Sequence, residues 1–438
     1  MRRTETTVII ESNTIVNRSS GNNGYAKNVL FIGSFFFIFG FITWINGALI
    51  PYLRIACELK EWESYLVTFS FYISYTIMAI PSGKLLERTG MINGMRIGLA
   101  IMAMGCMVFV PAALTRTYQL FLLGLFIVGT GLTILQTAVN PYITLLGSLG
   151  SAAKRMSIMG LCNKFAGVLA PFILGTILLS NSDGLINELK HLSPSARVLR
   201  LDRLAQTVIF PYSILSAILL LIAFVIKYAH LPEIKLISLN RVRRLRGLKG
   251  SFIWRNPHLL WGFVAIFCTV GLEVVTGDTI ANYGLYHGLS LHTAKNLPSY
   301  TLACEMSVYL FTVFAIPKFI SQEKAFLYSN FLGLVLVVLA VLVSGTTSIV
   351  FVALLNLANA ILWAAIWPQA LKGLKGDDIN KGSAILIMGI AGGALMPLLY
   401  AWLAKYTNNQ VAYLIIMPCY LFNLYYWLIG KRRIGIYA

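Results

Sequence analysis

Charge is scarce in this sequence, and acid is scarcest. Only 12% of the 438 residues are Asp, Glu, Lys or Arg, about half the share of an ordinary soluble domain. Acids number 16 against 35 Lys and Arg. The six cysteines (Cys57, Cys106, Cys162, Cys268, Cys304, Cys419) show no CxxC or metal-ligand spacing and read as small apolar helix residues. No HExxH, Ser/His/Asp or Cys/His set is present, and the five histidines fall in loops or at helix ends, which argues against an enzyme and points to no cofactor or resident metal. What the chain has in quantity is apolar residues, at 58%. At roughly 20 apolar residues per crossing, twelve spans use about 240 positions. The remainder is too short for a large soluble domain, which excludes a receptor kinase, a pump with an ATPase domain or a DNA-binding protein.

Apolar runs bounded by charge or by Gly, Pro and Asn predict an all-α integral membrane protein with 12 transmembrane helices. The first six lie near 28–51, 62–83, 92–113, 118–146, 156–180 and 208–228. The second six lie near 258–286, 296–318, 324–343, 348–371, 381–404 and 411–430. The distribution of basic residues orients them. With both termini cytoplasmic, the inner loops and ends hold 24 Lys and Arg and the outer loops 9, with Arg96 and Lys164 inside helices. That bias follows the positive-inside rule, so the net charge of +19 needs no nucleic acid partner. Its densest cluster, Arg241, Arg243, Arg244, Arg246 and Lys249, suits contact with membrane lipids. The implied organisation is a cytoplasmic tail (1–27) with no cleavable signal, a six-helix bundle (28–228), a basic cytoplasmic linker (229–257), a second six-helix bundle (258–430) and a tail (431–438).

The two bundles are related. Leu135-Gln-Thr-Ala-Val-Asn-Pro141 in the fourth span matches Leu362-Trp-Ala-Ala-Ile-Trp-Pro368 in the tenth at an offset of 227, and Gly167-Val-Leu-Ala-Pro171 matches Gly393-Ala-Leu-Met-Pro397 at 226. An offset of six helices keeps both halves in the same orientation, a parallel repeat about an axis along the membrane normal, as in carriers that rock around a midplane site. Spans four, five, ten and eleven, with their Pro and Gly, are expected to line the rocking interface. Between spans two and three, Gly83-Lys-Leu-Leu-Glu87-Arg88-Thr-Gly90 resembles the G-x-x-x-D/E-R-x-G loop of the major facilitator superfamily. There glycines allow a tight turn while the acid and Arg form a conformational latch.

Lys164, Glu273, Asp278 and Glu305 are the charges well inside predicted spans. Each costs on the order of 2.5–3.5 kcal/mol to insert, so each needs a partner, a cavity or a proton. Glu273 and Asp278 stand five apart, about 140° around an ideal helix, and converge only if Gly277 lets span seven bend. Converged, with Thr hydroxyls and backbone carbonyls, they would be presented to a cation or a sugar. The alternative role for each acid is a structural ion pair with Lys164. Back-projection by 227 sets Glu273 opposite Asn46, and Gln136, Asn140 and Asn163 add amides to spans four and five. Amides, charges and the faces of Trp44, Trp363 and Trp367 are the lining a polyhydroxylated ring requires.

These segments resemble the fucose/galactose/glucose cation symporters of the major facilitator superfamily, most of all the glucose/galactose branch. The carrying strings are Phe37-Ile-Phe-Gly-Phe-Ile-Thr-Trp-Ile-Asn-Gly47, Leu135-Gln-Thr-Ala-Val-Asn-Pro-Tyr142, Met159-Gly-Leu-Cys-Asn-Lys164 and Ala391-Gly-Gly393. The resemblance implies a bacterial inner-membrane carrier of a monosaccharide, coupled to Na⁺ or H⁺. Two positions depart from the fucose branch, which has an Asp where this chain has Gly47 and a Glu where it has Gln136. On this reading Gln136, Asn140, Asn163 and Lys164 hold sugar hydroxyls, Trp44, Asn46 and Trp363 complete the pocket, and Glu273 and Asp278 bind the cation. The competing readings are a drug/H⁺ antiporter, whose pocket would be aromatic and poor in amides, and a non-transporting sugar sensor, which would lack room for a signalling domain.

Overall fold

The computed structural model describes residues 22–145, 152–179, 182–228, 257–315, 319–371, 382 and 385–434. Most of the basic linker, the N-terminal tail to residue 21 and residues 435–438 lie outside the described residues. The amino-terminal half comprises α1 (Asn22–Trp44), α2 (Asn46–Ala56), α3 (Glu61–Ser64), α4 (Leu66–Thr89), α5 (Met91–Thr115), α6 (Tyr118–Leu145), α7 (Ala152–Leu178), α8 (Ser182–His191), α9 (Pro194–Gln206) and α10 (Ile209–Tyr228). The other half comprises α11 (Pro257–Asp278), α12 (Ile280–Tyr286), α13 (Leu291–Ala294), α14 (Leu297–Ala315), α15 (Gln322–Leu342), α16 (Gly345–Asn359), α17 (Leu362–Leu371), α18 (Gly392–Tyr406) and α19 (Met417–Ile434). Two six-helix bundles result. Among the described residues eleven helical stretches are long and apolar enough to cross a membrane. The remaining expected span is α14, whose 19 residues include Glu305 among Ser299, Thr301 and Ser307.

Apolar side chains cover the outside as well as filling the core. Phe210, Phe314 and Leu342 are more than 70% exposed on the outer faces, while Asn46, Lys164, Asp278, Asn282, Glu305 and Asn356 are buried. Lipid accepts the apolar faces at no cost, so polar residues gather where helices meet. Within the first half α5 packs on α6 and α10, and α1 on α7; within the second, α11 packs on α18 and α15 on α16.

The main contacts between halves pair α7 with α14, and α4 with α18 and the residues just before it, 389–391. Of the spans expected at the interface, five (α7) and eleven (α18) cross it, whereas four (α6) packs chiefly on α4 and α5, and ten (α17) on α11. The reason is the end at which the bundles meet. Described hydrogen bonds between halves run from mid-span to the end formed by α3, α12, α13 and the turn at 407–411. There Asn409 Nδ2 donates to Glu61 Oε1 at 2.8 Å, Arg54 Nη1 to Asn282 Oδ1 at 3.2 Å, and Asn282 Nδ2 to the Tyr65 hydroxyl at 3.1 Å. Lys295 Nζ donates to the Leu179 carbonyl at 2.8 Å, and the rings of Tyr65 and Tyr400 meet edge to face.

Gly40 allows α1 to lie directly on α7, because a Cβ there would overlap the Asn163 carbonyl. Gly40→Ala is expected to cost about 1–3 kcal/mol through overpacking, seen as a lower thermal unfolding midpoint in detergent. Gly83, where a Cβ meets nothing within 4 Å, is the control: Gly83→Ala should leave the midpoint unchanged or raise it. Equal midpoints for the two variants would mean that α1 and α7 separate without cost.

Candidate functional site

The midplane site is built around Lys164. Its ammonium contacts the Glu273 carboxylate of α11 closely and lies 2.8 Å from Glu305 Oε1 of α14. One base from the first bundle is thus held by two acids of the second. The Glu305 side chain is 2% exposed and that of Glu273 16%. Nζ also stands 4.8 Å from the centre of the Trp44 ring, a cation–π contact that adds stabilisation in a desolvated setting. Trp44 is itself wedged between α7 and α11: a Cβ on Gly167 would come within 2.6 Å of it and one on Gly277 within 2.8 Å.

Gly277 therefore provides space, and it is not a point of unwinding. The interruption in span seven falls at Thr279, and even there the backbone stays helical, with Thr279 N–H donating to Val275 O at 3.1 Å. Glu273 and Asp278 consequently find different partners, Lys164 for one and Thr68 of α4 for the other, whose hydroxyl donates to Asp278 Oδ2 at 2.9 Å. The hydroxyls expected to join them around a hard cation are engaged elsewhere. Thr276 bonds to Asn356 of α16, and Thr279 to the Val275 carbonyl and the Tyr413 hydroxyl. Among the described residues no three Asp, Glu, His or Cys side chains cluster as a metal site.

The amides sit around this centre at varying remove. Gln136 Nε2 donates to the Tyr75 hydroxyl at 3.1 Å, and Asn163 Nδ2 to the Phe36 carbonyl at 3.4 Å. Asn46 is fully buried at the start of α2 with neither amide atom partnered. Trp363 stacks on Trp367, ring centres 5.1 Å apart, without a described contact to the ion pairs. Asn140 lies in α6 and Glu87 in α4, with side chains outside the described part of the structure. Of the loop motif, Gly83 ends no turn, Arg88 is exposed, and Gly90 takes the left-handed φ of +79° that closes α4 and opens α5.

Sequence reasoning passed over the face of α4 that carries Thr68, Tyr72, Tyr75 and Thr76. Tyr72 packs on Gly393 of α18 and stacks on Tyr75, and Thr76 donates to the Met388 carbonyl at 3.4 Å. The signal was available: these four polar side chains recur at intervals of four, three and one, a single helical face. Glu305 was seen as an intramembrane charge but not as a member of the site, because only folding brings α14 against α7.

Two parallel bundles meeting across a buried charge cluster, with the polar residues turned inward, define a secondary transporter rather than an enzyme. Residues 30–386 match the family model of the Major Facilitator Superfamily. The chain belongs to that superfamily. It is 31% identical over 429 residues to a glucose/galactose transporter of Brucella abortus biovar 1 (strain 9-941), covering 97% of this chain and 99% of the relative. It is 26% identical over 414 residues to an L-fucose-proton symporter of Escherichia coli (strain K12), covering 92% and 93%. The crystal structure of the transporter FucP in the outward conformation superposes with a TM-score of 0.70 at 26% identity, over 93% of this chain and 99% of that one.

Lys164→Ala leaves two carboxylates facing each other without their ammonium, and breaking a buried ion pair from one side costs about 3–5 kcal/mol. The expected readout is a marked fall in the unfolding midpoint of purified protein, largely restored in Lys164→Arg. An unchanged midpoint in Lys164→Ala would mean that these ion pairs do not hold the bundles together.

Proposed function

We propose that the protein imports a hexose of the glucose/galactose class together with a cation, Na⁺ or H⁺, across a bacterial inner membrane by alternating access. The observation that carries the reading is the charge cluster: Lys164 of one bundle shared between Glu273 and Glu305 of the other. Bundles joined this way part only if another charge replaces the ammonium at Glu273. A cation arriving there and a sugar engaging Lys164, Asn163, Gln136 and Asn140 each lower the cost of the other's binding, which is coupling in the thermodynamic sense. Trp44, Asn46 and Trp363 complete the sugar's surroundings, and Asp278 is the second acid on the cation's route. The glucose/galactose and fucose relatives support the substrate class, and the shortage of fucose-type acids at Gly47 and Gln136 supports a coupling site on span seven.

The bias of Lys and Arg supports a cytoplasmic position for the termini, the linker and the Gly83–Gly90 latch. The closed end, at Glu61, Asn282 and Asn409, is then periplasmic, and this conformation bars the outer side.

Labelled galactose uptake into proteoliposomes tests the function. One arm imposes an inward Na⁺ gradient at equal pH and the other an inward proton gradient at equal Na⁺. Transient accumulation above equilibrium in either arm, lost in Glu273→Gln, is the expected result. Equilibration without overshoot in both arms would overturn symport, and no hexose flux at all would overturn the substrate class. The gate has its own test. A Glu61→Cys/Asn409→Cys pair bridged by a short cross-linker should bring uptake to background and recover it on reduction, with both single variants unaffected by the reagent; undiminished uptake in the bridged pair would show that this end does not open during transport.

A further inference from the structure

The midplane cluster contains one ammonium and two carboxylates. Written fully ionised, it carries a surplus negative charge in an interface packed by Trp44, Tyr72 and Tyr309, and an uncompensated buried charge is the most expensive arrangement available there. The two acids are not equivalent. Glu273 is the closer partner of Lys164 and the more exposed, whereas Glu305 gives Oε1 to Lys164 at 2.8 Å and keeps Oε2 buried with no described partner. Both carboxyls contact the same ammonium, which brings them together. A carboxylate oxygen facing a second carboxylate in a dry site gains nothing as an acceptor, but as a hydroxyl it becomes a donor to that neighbour.

We propose that Glu305 binds the exchangeable coupling proton, held against Glu273 beside Lys164, and is a member of the transport site. This rests on the reading of the protein as a cation-coupled carrier and narrows the cation to H⁺. The reaction is one protonation: the carboxylate of Glu305 takes H⁺ from water on one side and returns it on the other, no other bond changes, and the cluster passes from a net charge of −1 to zero. Neutral, the cluster tolerates burial between closed bundles. Ionised, it demands water, which opening on one side supplies.

The groups facing Glu305 agree. Lys164 comes from α7, Glu273 from α11, Tyr72 from α4 and Tyr309 from α14 itself. α16 brings no titratable residue, and on α12 the Tyr283 hydroxyl is engaged with Ser348 at 2.5 Å. A hard cation in the same place would want some six or more oxygens, and the nearby Thr276 and Thr279 hydroxyls are already committed.

Two measurements decide the matter, and the first needs no sugar. Trp44 lies against Lys164, so the pH dependence of tryptophan emission in wild type minus that in Trp44→Phe reports the charge of the cluster in purified protein. A single protonation step is expected in wild type, absent in Glu305→Gln and present in Glu305→Asp. A step that persists in Glu305→Gln, or no step in wild type between pH 5 and 9, would overturn the proposal whatever the substrate. The second measurement compares two modes of flux in proteoliposomes. Glu305→Gln should lose accumulation driven by a proton gradient while retaining exchange of labelled for unlabelled hexose, now independent of pH. Accumulation equal to wild type would overturn the role of Glu305. Loss of both modes, in Glu305→Gln and Glu305→Asp alike, would make Glu305 a packing residue and also overturn it. Absence of hexose flux in wild type would fall on the substrate class alone, leaving the fluorescence titration to judge the proton site.

Discussion

A lysine in the middle of a membrane protein must be paid for, and the way this chain pays for Lys164 organises the rest of the molecule. Its two carboxylates come from the opposite bundle, on α11 and α14, so the cheapest place for the charge is also the joint between the moving halves. Had the acids been on the same bundle, the charge would have been a static core feature. Across the joint, every relative movement of the bundles changes the solvation of three ionisable groups, and whatever binds them acquires leverage over the movement.

The joint depends on close helix approach, and small residues provide it. Gly40 lets α1 rest on the α7 backbone beside Asn163, and Gly277 opens the space on α11 that the Trp44 ring fills. Trp44 then serves as floor to the ammonium. Toward the closed end the bonds between bundles change character. Around Lys164 they are ionic and buried; toward the closed end the buried amides of Asn282 and Asn409 meet Arg54 and Glu61, whose side chains are partly exposed. Exposed polar contacts are individually weak and readily exchanged with water. On the proposed transport cycle this end is the gate, and weak replaceable bonds suit that role, whereas the midplane cluster would separate only when its charge is made good.

How legible this was in the sequence depended on the range of the signal. Spans, the parallel repeat and the intramembrane charges are local or periodic features of hydropathy, and twelve spans could be read because each is a run of apolar residues set by membrane thickness; only α14, diluted by Glu305 and its hydroxyl neighbours, falls below that threshold on composition. Of the partnerships, the ion pair of a span-seven acid with Lys164 was open as an alternative and is found at Glu273; the others were not legible. Spacing placed Glu273 and Asp278 140° apart and needed a bend to join them, but helical bonding continues through Thr279 and each acid takes a partner from a different helix of the other bundle. Thr276 and Thr279 looked like ligands for the same reason and are instead the bonds that fix span seven to α16 and to Tyr413. Pairing across 140 residues, as between Lys164 and Glu305, leaves no periodic trace in a single chain.

Gly47 links the sequence's main departure from the fucose branch to this geometry. A Cβ at that position would come within 2.8 Å of Pro298, near the start of α14, so in this conformation α2 and α14 meet where an Asp side chain would have to stand. The same approach sets α14 against the first bundle along its length, with Tyr309 near Gly160 and Glu305 at Lys164. Gly47 admits the start of α14 against α2, and further along the same helix Glu305 reaches Lys164. The ionisable centre thus sits between the bundles, where α14 and α11 meet α7, and not within one of them.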